Sequence, residues 1–393
     1  MQIYLVGGAV RDQLLKRPIK DKDFVVVGAT AAEMLDAGFQ QVGADFPVFL
    51  HPRSHEEYAL ARTERKQGSG YKGFSVHASP DVTLKEDLQR RDLTINAMAI
   101  EVTSLTDDTP ISGNVIDYYG GLEDLDNKTL RHVSSAFGED PLRVLRTARF
   151  YGRYYDLGFI IADDTLTLMH HLVSSGELAH LSAERIWQES SRATMQLSPQ
   201  VYWQQLFDIS GLIEHFAPLH DAWEDTCIRE TVQTALYFAG QMRLNLSQRW
   251  TLLMISLAPS LFKSENSESD FNVSTATKSI NSIGNTAKVP KTHTQFATLF
   301  AQHANKLRAI SSLSAADKID LLQTCGAHKE PDKLSQLLVC SHVLQLAIQH
   351  RQMMLALNSF HAIGMTDIAS DLKGPAIGAA LRQSRIDHLQ AHG

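Results

Sequence analysis

Two neighbouring stretches set the fold class: Met1-Gln-Ile-Tyr-Leu-Val-Gly-Gly-Ala-Val-Arg-Asp12 and Asp21-Lys-Asp-Phe-Val-Val-Val-Gly28. Ile3 to Val6 is a short β-prone run that stops at Gly7-Gly8. Val10, Leu14 and Leu15 then mark one face of a short helix, ended by Pro18. Phe24 to Val27 is a buried-strand pattern closed by Gly28. A glycine pair between strand and helix lets the backbone approach a ligand closely. The helix N-terminus offers N–H groups to a phosphate, and Arg11 adds a charge one turn in. Asp21 and Asp23 stand at i and i+2 of an opening strand and so face the same way. Two carboxylates there form a hard-oxygen site for magnesium (Mg2+), as two-metal phosphoryl transfer requires. Alone, the glycines read as a tight turn and the aspartates as a solvated strand end; their proximity favours the chemical reading. No third glycine follows at dinucleotide-fingerprint spacing, which argues against a Rossmann-type oxidoreductase.

Further along, Ala31 to Ala37 reads as a helix, and Val48 to Leu50 and Glu57 to Ala61 as strands. Beyond about Ser134 strand signals fade and helical periodicities take over, as in Leu142, Leu145, Ala148 and Phe150, then Leu166, Met169 and Leu172. The expected fold class is an α/β head followed by an all-α remainder. Residues 263–295, rich in Ser, Thr and Asn, read as a flexible insertion, with helices resuming from Phe296. The 393 residues, 44% hydrophobic and 21% charged, exclude a mainly disordered or fibrous chain and suit two or three domains. The net charge of -7 gives no global basic field, though a local arginine stripe can still bind phosphate. Cys227, Cys325 and Cys340 lack metal-ligand spacing and fit a reducing compartment. The N-terminus has no basic leader, and no apolar run approaches the ~20 residues of a membrane span. A cytoplasmic protein without membrane contact is expected.

Two arginine-rich motifs carry further chemistry. In Arg90-Arg91-Asp92, guanidinium forks suit phosphate, and the carboxylate can accept from a ribose hydroxyl. In Glu139-Asp-Pro-Leu-Arg-Val-Leu-Arg146, Pro141 suits a first helical turn, which would put Asp140 and Arg143 on one helix face. Cytosine and adenine share an amino donor beside a ring-nitrogen acceptor. An Asp can accept from the first while an Arg donates to the second, and uracil and guanine present the reverse pair. The bland alternative is a helix-start carboxylate with a local salt bridge. Arg143, Arg146, Arg149 and Arg153 share roughly one helix face.

These motifs, together with Glu57-Tyr-Ala-Leu-Ala-Arg-Thr-Glu-Arg-Lys66 and Arg90 to Ala97, resemble the polymerase-β-type nucleotidyltransferases, and more closely the bacterial class II tRNA nucleotidyltransferases, the CCA-adding enzymes. The resemblance is strong over residues 1–195 and weaker beyond. It implies a polymerase-β-like head over 1–134, a helical neck with a base template over 135–200, and a helical body over 201–393. It also implies addition and repair of the 3′ CCA of tRNA from CTP and ATP. Asp21 and Asp23 would be the catalytic, Mg2+-holding pair, and Gly8, Arg11, Arg91, Asp92, Asp140, Arg143 and Arg146 would hold the nucleotide, with Glu139 steadying the template pair. The 3′ end and upper half of tRNA are the implied partner; no protein partner is expected, the chain being monomer or homodimer. The loop Lys66 to Phe74 resembles the family's flexible loop, and Asp117 to Gly121 with Leu130-Arg131 its hinge. Some relatives carry a metal-dependent hydrolase helix with a His-Asp pair; here Ile255 and Ser256 stand in those places, so the body is expected to hold RNA without hydrolase chemistry. The rivals are a bacterial poly(A) polymerase, a C-only or A-only enzyme, and a catalytically idle RNA-binding module.

Overall fold

The computed structural model describes residues 1–42, 48–66, 74–102, 113–258, 273–327, 329–344, 350–368, 370 and 372–392. The chain forms two compact units, Met1–Ala193 with Val201–Glu214, and Thr194–Gln200 with His215–Gly393. The expected head, 1–134, lies in the first unit, and so does the expected neck, 135–200, except for Thr194–Gln200. The centre of the expected flexible loop, 67–73, lies outside the described residues.

The first unit begins with β1 (Gln2–Val6), α1 (Gly8–Leu14), β2 (Asp23–Val27), α2 (Ala31–Asp36), β3 (Gln40–Val42), β4 (Val48–Leu50) and β5 (Glu57–Leu60). A ribbon of β6 (Arg62–Lys66) and β7 (Phe74–Ala78), then α3 (Leu84–Gln89), β8 (Met98–Glu101) and β9 (Val115–Asp117) follow. Seven strands make one mixed sheet in the order β3-β4-β5-β2-β1-β8-β9. Four consecutive residues of β1, Ile3 to Val6, are buried, which explains the unbroken apolar run. In the antiparallel β1–β2 pair, Val6 stands opposite Asp23. That register brings the glycine turn and the aspartates to the same sheet end. On one sheet face Tyr4, Val6, Val25 and Ala99 pack with Leu84 and Leu88 of α3. The Thr83–Glu86 capping box starts α3, and its buried leucines fix where the chain emerges at Arg90.

After α4 (Gly121–Asp126) and β10 (Thr129–Leu130) come α5 (Leu142–Tyr154), β11 (Ile160–Ile161), α6 (Asp163–Ser174), α7 (Ala183–Thr194) and α8 (Pro199–Asp208). At the expected hinge, Asp117 accepts from the backbone N–H groups of Tyr119, Gly121 and Leu122 at 3.1, 3.0 and 2.9 Å, capping α4.

The second unit is helical: most of α9 (Ile213–Trp223), which begins in the last two residues of the first unit, then α10 (Thr226–Gln241), α11 (Leu246–Met254), α12 (Val273–Thr286), α13 (Lys291–Arg308), α14 (Ala315–Thr324), α15 (Pro331–Val343), α16 (His350–Ala362) and α17 (Pro375–His392). The expected insertion over 263–295 is corrected in its second part, because Val273–Thr286 is a helix and α13 starts at Lys291. Ala276, Ile280, Ile283 and Gly284 form its buried stripe. Composition hid it because its apolar residues are few but correctly spaced.

Ile255 and Ser256 belong to the core, 2% and 0% exposed. The Ser256 hydroxyl accepts from Trp223 Nε1 at 2.9 Å and donates to Leu253 O at 2.7 Å. Neither side chain suits a transition metal, nor is either reachable by a substrate. The purified protein should therefore show no nickel- or manganese-stimulated hydrolysis of 2′,3′-cyclic nucleotides or phosphate monoesters; robust metal-dependent release would overturn this. No described helix is long and apolar enough to cross a membrane.

Candidate active site

A cleft of ≈ 570 Å³ in the first unit gathers Gly7, Gly8, Arg11, Asp21, Asp23, Arg90, Arg91, Asp92, Asp140, Arg143 and Arg146. All the sequence-derived site residues except Glu139 line it; Glu139 ends the 3-10 turn just before Asp140. Ten cationic side chains and five carboxylates line the cleft, so an acidic chain carries a locally basic site.

At the floor, Gly7 takes φ 70°, and an added Cβ would stand 2.8 Å from Arg91 Nη1. Glycine is favoured there by the left-handed backbone conformation, while the contact itself falls on the movable end of the Arg91 side chain. Asp21 and Asp23 are exposed and share the cleft, while Lys22 between them pairs with Glu56 at 3.3 Å. The cleft walls partly strip water from the Asp23 carboxyl and raise its pKa. Arg91 opposes that rise, and the negative charge of Asp21 adds to it. Two hard carboxylates that repel each other are a donor set suited to Mg2+, which completes its shell with substrate phosphates. Among the described residues no group of three or more His, Cys, Asp or Glu could hold a metal.

The arginine wall is held by buried carboxylates. Asp92, 6% exposed, accepts at Oδ1 from Leu93 N (2.8 Å) and Asn96 Nδ2 (2.9 Å), and at Oδ2 from Arg146 Nε and Nη2, both at 2.7 Å. Burial alone would raise this carboxyl. The Arg146 charge and the hydrogen bonds of Asn96, Arg146 and Leu93 outweigh it and hold the group well below the usual carboxylate range. Its four acceptor positions are thereby filled. Asp12 binds Arg11 Nε (3.0 Å), Arg153 Nη2 (3.0 Å) and the Tyr154 hydroxyl (3.1 Å). Burial pushes the Tyr154 phenol up to about 12, so it donates as a neutral group. Arg11, 3% exposed, also donates to Asn96 Oδ1 and lies over Phe150 and Tyr154. Arg11 is thus a buried cation beneath the glycine turn. Glu189 accepts from Arg149 Nε at 2.5 Å, with Arg146 at 3.9 Å and Arg192 at 3.7 Å. Asp87, fully buried, pairs with Arg90 (2.8 Å) and Arg91 (3.3 Å).

The template stretch departs from the expected helix face. Pro141 is the N-cap, α5 starts at Leu142, and Asp140 is extended (φ -119°, ψ 102°). A proline disfavours helical backbone in the residue before it. Asp140 accepts from Leu142 N at 3.1 Å and Arg185 Nη2 at 2.8 Å, and Arg143 donates to Ala136 O (2.6 Å) and Arg90 O (2.5 Å). Asp140 and Arg143 nonetheless line the same cleft.

Sequence reading assigned no role to Asp12, Asp87, Asn96, Arg185 or Glu189. Two signals were available: Asp87 with Arg90 and Arg91 at i+3 and i+4, and Arg185, Glu189 and Arg192 at i, i+4 and i+7 of α7.

Residues 3–131 match the family described as Poly A polymerase head domain, and residues 158–224 the one described as Probable RNA and SrmB-binding site of polymerase A. The chain is 41% identical, over its whole length and 98% of the other, to the Multifunctional CCA protein of Pseudomonas aeruginosa. Among solved structures it resembles a CCA-adding enzyme in apo form II, with TM-score 0.68 and 21% identity over 99% of this chain and 88% of that one. It also resembles the Thermotoga maritima CCA-adding enzyme complexed with tRNA(CCA), with TM-score 0.65 and 20% identity over 100% of this chain and 87% of that one.

Proposed function

The chain belongs to the CCA-adding tRNA nucleotidyltransferases, and we propose that it builds and repairs the 3′ CCA of tRNA from CTP and ATP in the arginine-walled cleft that holds Asp21 and Asp23. The observation that carries this is the meeting of two hard carboxylates, an arginine row and the Asp140–Arg143 pair in one cleft. Asp21 and Asp23 would hold Mg2+, which when bound activates the RNA 3′ hydroxyl and neutralises charge on the triphosphate. Gly7 and Gly8 give the triphosphate close access to backbone, and Arg91 and Arg146 face its charge. Arg11, buried beneath, supports the turn and adds its field. Asp92 acts through Arg146, since a ribose hydroxyl would have to displace one of its present donors. The hydroxyl attacks the α-phosphorus, a P–O bond forms, and the bond to the leaving pyrophosphate breaks. Its work lies in the cytoplasm, with the tRNA pool.

Incubation with tRNA lacking CCA, and with each nucleotide separately and together, tests the reading. Two C followed by one A is expected. A run of A without CTP would favour a poly(A) polymerase, and one nucleotide only a partial enzyme. In the same assay, Asp140→Ala or Arg143→Ala should relax exclusion of UTP and GTP by roughly ten- to hundredfold, the worth of a base-edge hydrogen-bond set. Unchanged preference in both variants would remove base reading from this stretch.

A further inference from the structure

We propose that Arg185 is a specificity-determining residue of this site: it holds Asp140 in the orientation that accepts a base amino group, so that α7 takes part in nucleotide choice. This rests on the reading of Asp140 as a base-contacting carboxylate.

Pro141 fixes the backbone of Asp140 in an extended conformation but leaves its side-chain torsions free. Two hydrogen bonds remove that freedom, from Leu142 N to Oδ1 at 3.1 Å and from Arg185 Nη2 to Oδ2 at 2.8 Å. An ionised carboxylate offers about four acceptor positions, so two remain for a ligand. Guanidinium is donor-only, so Arg185 cannot offer a substitute acceptor to a base. A carbonyl at the edge of uracil or guanine then meets fixed lone pairs, whereas the amino group of cytosine or adenine meets an acceptor.

Arg185 is itself firmly based. Ile186 beside it is buried, and Ser190 Oγ lies 2.8 Å from the Tyr202 hydroxyl. One turn on, Glu189 grips Arg149 at 2.5 Å. The same helix face therefore sets the base-contacting carboxylate and steadies the arginine row. Without the Arg185 guanidinium, Asp140 keeps one tether, can turn, and can let a water bridge to a carbonyl.

The experiment is competitive single-nucleotide incorporation on tRNA ending before the first C and on tRNA ending in CC. It compares the parent with Asp140→Ala, Arg185→Ala, Arg185→Lys and the Asp140→Ala/Arg185→Ala double variant. Arg185→Ala should raise the share of U and G incorporated by about tenfold, the worth of one good tether to a base-reading group. Arg185→Lys, with one donor able to reach Oδ2, should restore most of the selectivity. The double variant should be no less selective than Asp140→Ala, because Arg185 acts through Asp140. The ratio of incorporated bases does not depend on how much protein is folded, so a lowered melting temperature leaves the test intact. If Asp140→Ala is relaxed but Arg185→Ala keeps parental ratios, Arg185 has no role in selection and the base reading stands. If Asp140→Ala keeps parental ratios, the base reading fails and the role of Arg185 with it. Additive losses in the double variant would also overturn the proposal, since they would make Arg185 act independently of Asp140.

Discussion

Asp21→Ala and Asp23→Ala proteins should fold, bind tRNA with near-parental affinity, and add neither C nor A, with rates roughly a thousandfold or more below the parent. The three other carboxylates that line the cleft are already engaged. Asp12 is held by Arg11, Arg153 and Tyr154, Asp92 by Arg146 and Asn96, and Asp140 by Arg185. The stability cost should be small, because both aspartates are exposed and changes at such positions usually stay within about 0.5 kcal/mol. Loss of Asp21 also relieves the repulsion that raises the Asp23 carboxyl. Thermal melting, tRNA affinity and single-turnover addition, measured on one preparation, decide the matter. A role confined to the strand end predicts activity falling only with the folded fraction. A folded variant that extends tRNA near the parental rate would sink the catalytic assignment.

Asp92→Ala should combine loss of stability with loss of activity. The substitution takes the carboxylate from buried Asn96 and from Arg146, whose side chain is 36% exposed and can turn to water, so the cost is that of a lost charged hydrogen-bond set, about 1–3 kcal/mol. In a unit of this size that lowers the melting temperature by roughly 5 °C. The pH dependence has a definite sign. The folded-state pKa of Asp92 is depressed, so its contribution is complete above the unfolded carboxylate value, near 4, and is lost as pH falls below it. The parent should therefore lose stability toward acid more steeply than Asp92→Ala. Parallel acid-unfolding curves for the two would refute the contribution, and parental nucleotide affinity in folded Asp92→Ala would refute its action through Arg146.

The strands β1, β2, β4 and β5 and the short first helix were legible because their signals are local, whereas β3, β8 and β9 of the same sheet were not read. The cleft residues were legible because Gly7-Gly8, Asp21, Asp23 and the arginine motifs are close-set combinations of reactive types. What sequence concealed was long-range pairing. Nothing near Asp140 announces Arg185, and nothing near Arg146 announces Asp92, because those partners meet only after the sheet and α5 to α7 have packed. Asp140 was misplaced onto the helix because Pro141 favours a first turn and also expels the residue before it, and the second effect governs. The α12 helix was missed because composition outweighed spacing.

The pairing of Asp23 opposite Val6 makes turnover a count of correctly threaded molecules. A slip of one residue between β1 and β2 would turn Asp23 to the other sheet face and bring Phe24 toward the cleft. Such a chain would keep most of its helix and much of its strand content, so circular dichroism would hardly register it, yet it would be inert. Specific activity after refolding thus measures strand threading more sharply than spectroscopy does. The same dependence sets a schedule during synthesis. β1 needs Met98–Glu101 as its second neighbour, and Asp92 needs Arg146. A chain ending before α5 lacks Arg146 and should add no nucleotide to tRNA.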